Sequence, residues 1–285
     1  MADRLHYTRG MRWDRDYNSP NVEDRRSEGG FGVGGGGGGF PLWGLLAIAG
    51  RFGWKGIVVA LLVVGFLSYG GSNLCSGSGG YDRAVAPRST PTQGSDDLTH
   101  FVGFVLDDVN KTWSDQMPGY QNTRLVLFRN AIRSACGTAT TAVGPFYCPL
   151  DHKVYIDLAF YDELRRRFGA PGDFAQAYVI AHEVGHHVQN LHGLLGHGEV
   201  SSVPIELQAD CLAGAWAQSA NARGLVEVGD VDEALNAAAQ IGDDTIQRKA
   251  TGHVQPETFT HGSAAQRSGS FRRGYQGGAA ACGIQ

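Results

Sequence analysis

From Leu98 onward the apolar positions Leu98, Phe101, Val102, Val105, Val109 and Trp113 recur three and four residues apart. That is the spacing of one face of an α-helix, and it predicts a helix over 96–117. Two short apolar runs, Thr123–Arg129 and Lys153–Asp157, predict β-strands paired around the intervening loop. A helix is expected over 158–168, closed by Gly169, with Arg165, Arg166 and Arg167 in its last turn, where cations suit the helix dipole. Phe174, Ala177, Tyr178, Ala181 and Val188 mark a further buried stripe. Asp173 as N-cap, with Gln176 three residues on, would start that helix, and Asn190 and Gly193 would stop it. Two more helices are expected, one from Ser202 and Pro204 to about Gly224 and one over 230–240 with Glu233 in its first turn.

One apolar run has no polar face. Residues 56–70 are continuously apolar or small, and extended back to Phe52 the run is long enough to span a bilayer as a helix. Trp43, Trp54 and Tyr69 suit membrane interfaces. The expected organisation is a cytoplasmic tail (1–28), a Gly-rich linker (29–41), a transmembrane segment (42–71, core 52–70), a Pro/Ser/Gly-rich stalk (72–94) and a globular domain (95–285). Arg4, Arg9, Arg12, Arg15, Arg25, Arg26, Arg51 and Lys55 precede the span, against Arg83 and Arg88 just after it. The positive-inside bias then predicts a single-pass cell-membrane protein with a cytoplasmic N-terminus and an extracytoplasmic globular domain.

A net charge of −4 and a pI of about 6.2 argue against a nucleic-acid partner. The glycines at 29–39 form a low-complexity linker, and with no Lys-Ser/Thr behind them they are not a phosphate loop. Five cysteines suit an oxidising compartment: Cys136 with Cys148 and Cys211 with Cys282 are candidate disulfides, and Cys75 is left over. No CxxC spacing supports zinc ligation by thiolates.

The chemistry centres on His182-Glu183-Val184-Gly185-His186. Helix positions four apart differ by only about 40° in azimuth and about 6 Å in height, so both imidazoles can reach one cation. Glu183 then stands beside the place a reactive water would occupy. His187 lies about 100° round from His186 and is not a ligand. A hydrolytic zinc takes three protein ligands, and the next helix supplies Glu206 and Asp210 on one face, four residues apart. Two carboxylates facing an Ala-rich helix surface are costly unless compensated, which a metal and a histidine would do.

HEVGHHVQN (182–190) followed by ELQAD (206–210) resembles the HExxH gluzincin arrangement of thermolysin-like metallopeptidases. The chain is more closely similar to a bacterial family of membrane-anchored neutral zinc metallopeptidases. That similarity extends over MRWD (11–14), NVEDRR (21–26), the Gly-rich and apolar stretches, CPLD (148–151), AYVIAHEVGHHVQ (177–189), ELQADCLAG (206–214), IGDD (241–244) and FTHGSAAQR (259–267). The resemblance implies an α+β, mainly helical zincin-like domain with a small β-hairpin or sheet, preceded by a single transmembrane helix. It also implies one Zn²⁺ per chain held by His182, His186 and Glu206, with Glu183 as catalytic base and Asp210 orienting a metal-bound histidine. A peptide or protein would be the substrate. His261, with Tyr155 behind it, is the candidate oxyanion donor, and Lys153–Asp157 is the candidate strand along the cleft. The alternative is a catalytically inactive, membrane-anchored interaction protein that uses zinc as a structural clamp.

Overall fold

A computed structural model of the chain describes residues 10–28, 93–140, 143–166, 172–195 and 203–284. In chain order these form β1 (Val22–Asp24), α1 (Gln93–Gln116), β2 (Arg124–Phe128), β3 (Ala131–Ser134), β4 (Gly137–Thr140), β5 (Phe146–Cys148), β6 (Lys153–Asp157) and α2 (Ala159–Arg166). Then come α3 (Asp173–Leu191), α4 (Val203–Ala222), α5 (Asp230–Gln240), α6 (Asp243–Thr251) and α7 (Ala264–Ala281).

The sheet runs in the order β1-β2-β6-β5, and β3 and β4 make a separate hairpin. β1, β2 and β6 are parallel, whereas β5 is antiparallel to β6 and forms an edge. Leu125 and Leu127 face the main core, with Val105, Trp113, Phe174, Tyr178 and Trp216 from the helices. Val126 and Phe128 face a second cluster with Ile132, Ala139 and Tyr155. Both faces of β2 are therefore covered, which is why its sequence is apolar without alternation. The expected pairing of 123–129 with 153–157 is found, but it is parallel. The β3–β4 hairpin and β5 fill the crossover that parallel neighbours require. Both cysteine pairs form disulfides, Cys136–Cys148 and Cys211–Cys282.

Residues 10–28 are not a tail. Met11 is 2% exposed, Arg12 N–H bonds to Leu225 O at 2.8 Å, and Trp13 packs edge-on against Phe101 at 5.2 Å. Val22–Asp24 then pairs with Leu125–Leu127. This overturns the single-pass topology: one crossing would put the two flanks on opposite sides of a bilayer, yet they share a sheet. Among the described residues no helix is long and apolar enough to cross a membrane. The segment read as transmembrane (42–71), with its linker (29–41), most of the stalk (72–92) and Cys75, lies outside the described residues. The fold class is accordingly mixed α/β, and neither the anchor nor the localisation drawn from it is retained.

The start of α3 also differs from expectation. Its N-cap is Gly172, with no side-chain cap bond, and Gln176 Oε1 has no hydrogen-bond partner, so the Asp173/Gln176 capping box does not form. Instead Asp173 turns to the Met11 N–H, at 3.2 Å, and shares an acidic cluster with Asp230 and Glu233 of α5. A Cβ on Gly172 would lie 1.7 Å from Glu233 Oε2, so a larger residue there would displace that carboxylate. Burial and then mutual repulsion push Glu233 up to about 7; burial, with a smaller contribution from Asp230, pushes Asp173 up to about 6.

Raised carboxyl pKa values bind protons more tightly in the folded state. Their stabilisation is full below the unfolded values near ~4 and is lost as pH rises through about 6 to about 7. Glu233→Gln should therefore raise the melting temperature at pH 8 and change it little at pH 4.5. An equal change at both would show that the cluster does not titrate in this window.

Candidate metal centre

α3 and α4 lie close because Gly185, just before the second histidine, has no side chain. A Cβ on Gly185 would stand 3.1 Å from Ala209 O. This brings buried Glu206 opposite buried His182 and His186. His182 Nε2 is 3.3 Å from Glu206 Oε2, and His186 Nε2 is 3.6 Å from Glu206 Oε1. One ligand atom from each of the three residues lies within 4.8 Å of the others. Both Nδ1 atoms are already engaged, so the Nε2 atoms face the carboxylate. Two imidazole nitrogens and one carboxylate, open on one side to a cleft, are the donor set of a hydrolytic zinc site, and the residues fit the ion.

The supports behind the histidines come from three helices. His182 Nδ1 is 2.9 Å from Asp210 Oδ1. Asp210 is fully buried and is gripped by Arg267, Nε to Oδ2 at 2.8 Å and Nη2 to Oδ1 at 2.9 Å, while the Tyr178 hydroxyl donates to Oδ1 at 2.5 Å. Arg267 stands on α7, which presses directly onto α4. A Cβ on Gly274 would lie 1.8 Å from Cys211 O, and one on Gly214 would lie 2.0 Å from Phe271 O. The Cys211–Cys282 disulfide ties the same two helices. For His186, Nδ1 is 2.8 Å from Gln189 Oε1, and the Gln189 amide is oriented by donating to Ile205 O and Gln208 Oε1.

Electrostatics follow from this packing. Burial pulls the His182 imidazole down, but the charge of Asp210 and hydrogen bonds to Asp210 and Glu206 outweigh it and raise its pKa to about 10. His186 is held down at about 4 by burial and by its neighbour His182. Burial resists ionisation of Glu206, yet the two histidines bring it down to about 2. The raised imidazole of His182 and the lowered carboxylates of Glu206 and Asp210 stabilise one another's charge. Glu183, outside the triad, is pushed up to about 7, chiefly by burial.

The cleft holds about 630 Å³ and is lined by His182, Glu183, His186, Glu206, Tyr147, Arg267 and His261. His261 shares this wall, its imidazole about half exposed. Asp243 Oδ2 accepts from the N–H groups of Thr260, His261 and Gly262 at 2.8, 2.7 and 2.9 Å. Asp243 thus holds this loop rather than capping its own helix; the N-cap of α6 is Gly242, without a side-chain cap bond. Tyr155 does not stand behind His261: its hydroxyl donates to Asp151 at 2.7 Å and its ring stacks on Phe146. Nor does Lys153–Asp157 border the cleft as a free strand, because β6 is paired on both sides.

Arg267, Tyr178, Gln189 and Tyr147 received no role from the sequence. Arg267 and Tyr178 stand far apart along the chain, and no local spacing connects either to Asp210. A second helix-start signal was available in Ser263 and Gln266, which form a capping box at the head of α7.

The fold and site define a mixed α/β domain with a buried two-histidine, one-glutamate centre beside a further glutamate. The chain belongs to the family described as putative neutral zinc metallopeptidase, whose model matches residues 11–283. It is 41% identical to the uncharacterized protein YpfJ of Escherichia coli (strain K12) over 285 residues, covering 94% of this chain and 96% of that one. It is 45% identical to the uncharacterized protein Rv2575 of Mycobacterium tuberculosis (strain ATCC 25618 / H37Rv) over 190 residues, covering 60% of this chain and 65% of that one. No solved structure matches.

Proposed function

We propose that this protein is a zinc-dependent peptidase, with His182, His186 and Glu206 holding one zinc ion and Glu183 acting as general base. The observation that carries the reading is the buried convergence of two Nε2 atoms on one carboxylate, with a second, non-ligand carboxylate facing the same open cleft. When bound, zinc supplies Lewis acidity to the water and to the scissile carbonyl. Glu183 takes the proton of the attacking water and returns it to the leaving amine nitrogen.

Asp210, held by Arg267 and Tyr178, fixes the His182 ring so that Nε2 faces Glu206, where the ion would be held. His261, placed on the cleft wall by Asp243, offers its imidazole to the developing oxyanion. The outer edge of β5 takes the place assigned to 153–157 as the backbone against which an extended peptide lies.

Metal analysis of the purified full chain should find one zinc, and cleavage of a casein-like substrate should stop with chelator and return with added zinc. Zinc without cleavage would leave the ion a structural clamp and sink the peptidase reading. Absence of zinc would sink the metal assignment itself.

A further inference from the structure

On α3, Glu183, His187 and Asn190 succeed one another four and three residues apart, so all three lie on one face. His182 and His186 point to α4, while this second stripe meets β5. His187 is 1% exposed. Its Nε2 is 2.6 Å from Gln121 O and its Nδ1 is 2.9 Å from the Tyr147 hydroxyl. A carbonyl oxygen only accepts, so Nε2 carries the proton and Nδ1 accepts from the Tyr147 O–H. That hydroxyl in turn accepts from Asn190 Nδ2 at 3.0 Å, and Asn190 also reaches Pro149 O, just past the strand, at 3.4 Å. The phenol is therefore satisfied as donor and as acceptor. At its other end the Tyr147 backbone serves as a hydrogen-bonding neighbour of the Glu183 carboxylate, and both residues line the cleft.

We propose that Tyr147, His187 and Asn190 form a clasp that fixes the edge strand β5 against the metal-bearing helix, making His187 and Tyr147 positioning residues for Glu183. Tyr147 spans successive turns of α3, its main chain at Glu183 and its hydroxyl at His187. Sliding or lifting of β5 would break both attachments together. The Gln121 carbonyl, just before β2, locks the His187 ring from behind, so the clasp also ties the sheet to the helix. The catalytic part of this inference rests on the peptidase reading; the mechanical part does not.

The test uses Tyr147→Phe, His187→Phe and His187→Gln in the full chain. Glutamine can still accept from the tyrosine and donate to Gln121. Amide hydrogen exchange at residues 146–148 should quicken about tenfold or more in Tyr147→Phe and His187→Phe, with α4 unchanged, and should stay slow in His187→Gln. Unchanged exchange in both phenylalanine variants would overturn the clasp, whether or not the protein cleaves peptides. In the cleavage assay, the two phenylalanine variants should lower kcat roughly tenfold at unchanged KM and zinc content. The double variant should be no worse than either single one, and His187→Gln should recover most of the rate. Faster exchange with wild-type kcat would overturn the positioning role. A wild-type protein that binds zinc and cleaves nothing would overturn the peptidase reading, and the exchange data would still decide the clasp. Tyr147→Phe removes one oxygen from a buried ring, so it folds even if His187→Phe does not.

Discussion

Replacing Glu183 by glutamine should leave one zinc per chain and lower kcat about 10²–10⁴-fold, the range for losing a positioned general base. The two effects separate because Glu183 is outside the triad: His182, His186 and Glu206 converge without it. Glutamine keeps the volume and a hydrogen-bonding carbonyl but cannot take a proton at this pH. His186→Ala, in contrast, should lose zinc and activity together, since it removes a donor nitrogen. Metal content measured beside kcat on the same samples distinguishes the two. If Glu183→Gln cleaves at the wild-type rate, the general base lies elsewhere and the mechanism above is wrong.

The second large effect is expected from a residue that need not touch the ion. Arg267→Met should destabilise the fold by about 3–5 kcal/mol, because it leaves the fully buried Asp210 carboxylate without its guanidinium partner. Asp210 keeps His182 and Tyr178 as partners, but the two-point guanidinium grip is lost. The His182 ring then loses its fixed orientation, and zinc affinity should fall by roughly 10–100-fold in whatever protein remains folded. Lys111→Met is the control. Its partner Asp115 is on the surface, so loss of that pair should cost less than about 1 kcal/mol. Thermal or denaturant unfolding of both variants reads the contrast. Similar small changes in the two would mean that the buried pair contributes no more than an exposed one.

Much of the helical framework was legible because burial imposes a period that a sequence displays. Phe101, Val102, Val105, Val109 and Trp113 are all at or below 3% exposure, as their spacing predicts for α1. α5 was bounded correctly by turn residues, and α3 and α4 to within a few residues. α7 was missed because 264–281 holds only Phe271 and Tyr275 as large apolar residues amid Gly, Ala, Gln, Ser and Arg. Its place in the core depends on backbone contact with α4 through Gly214 and Gly274, and backbone contact leaves no hydrophobic pattern.

The misreading of residues 10–28 has a related cause. Their six-residue stretch Asn21–Arg26 is mostly polar and charged and shows no alternation, so in isolation it looks like solvated tail. It becomes a strand only beside β2, about a hundred residues further on, with Val22 opposite Leu125. The membrane topology failed with it. Hydropathy over 52–70 says what a segment would tolerate as a solvent, and it carries no information on which side its flanks meet.

The sequence by itself determined the pairing of functional groups that share one helix, because helical geometry sets the angle between positions four apart. His182 with His186, and Glu206 with Asp210, follow from that rule. Only the tertiary structure decided that these two faces meet, that Asp210 serves His182, and that Arg267 and Tyr147 stand behind the site. Those contacts join residues whose separation along the chain bears no relation to their separation in space. They arise from close backbone packing at glycines, from disulfides and from strand order, none of which has a local period to read.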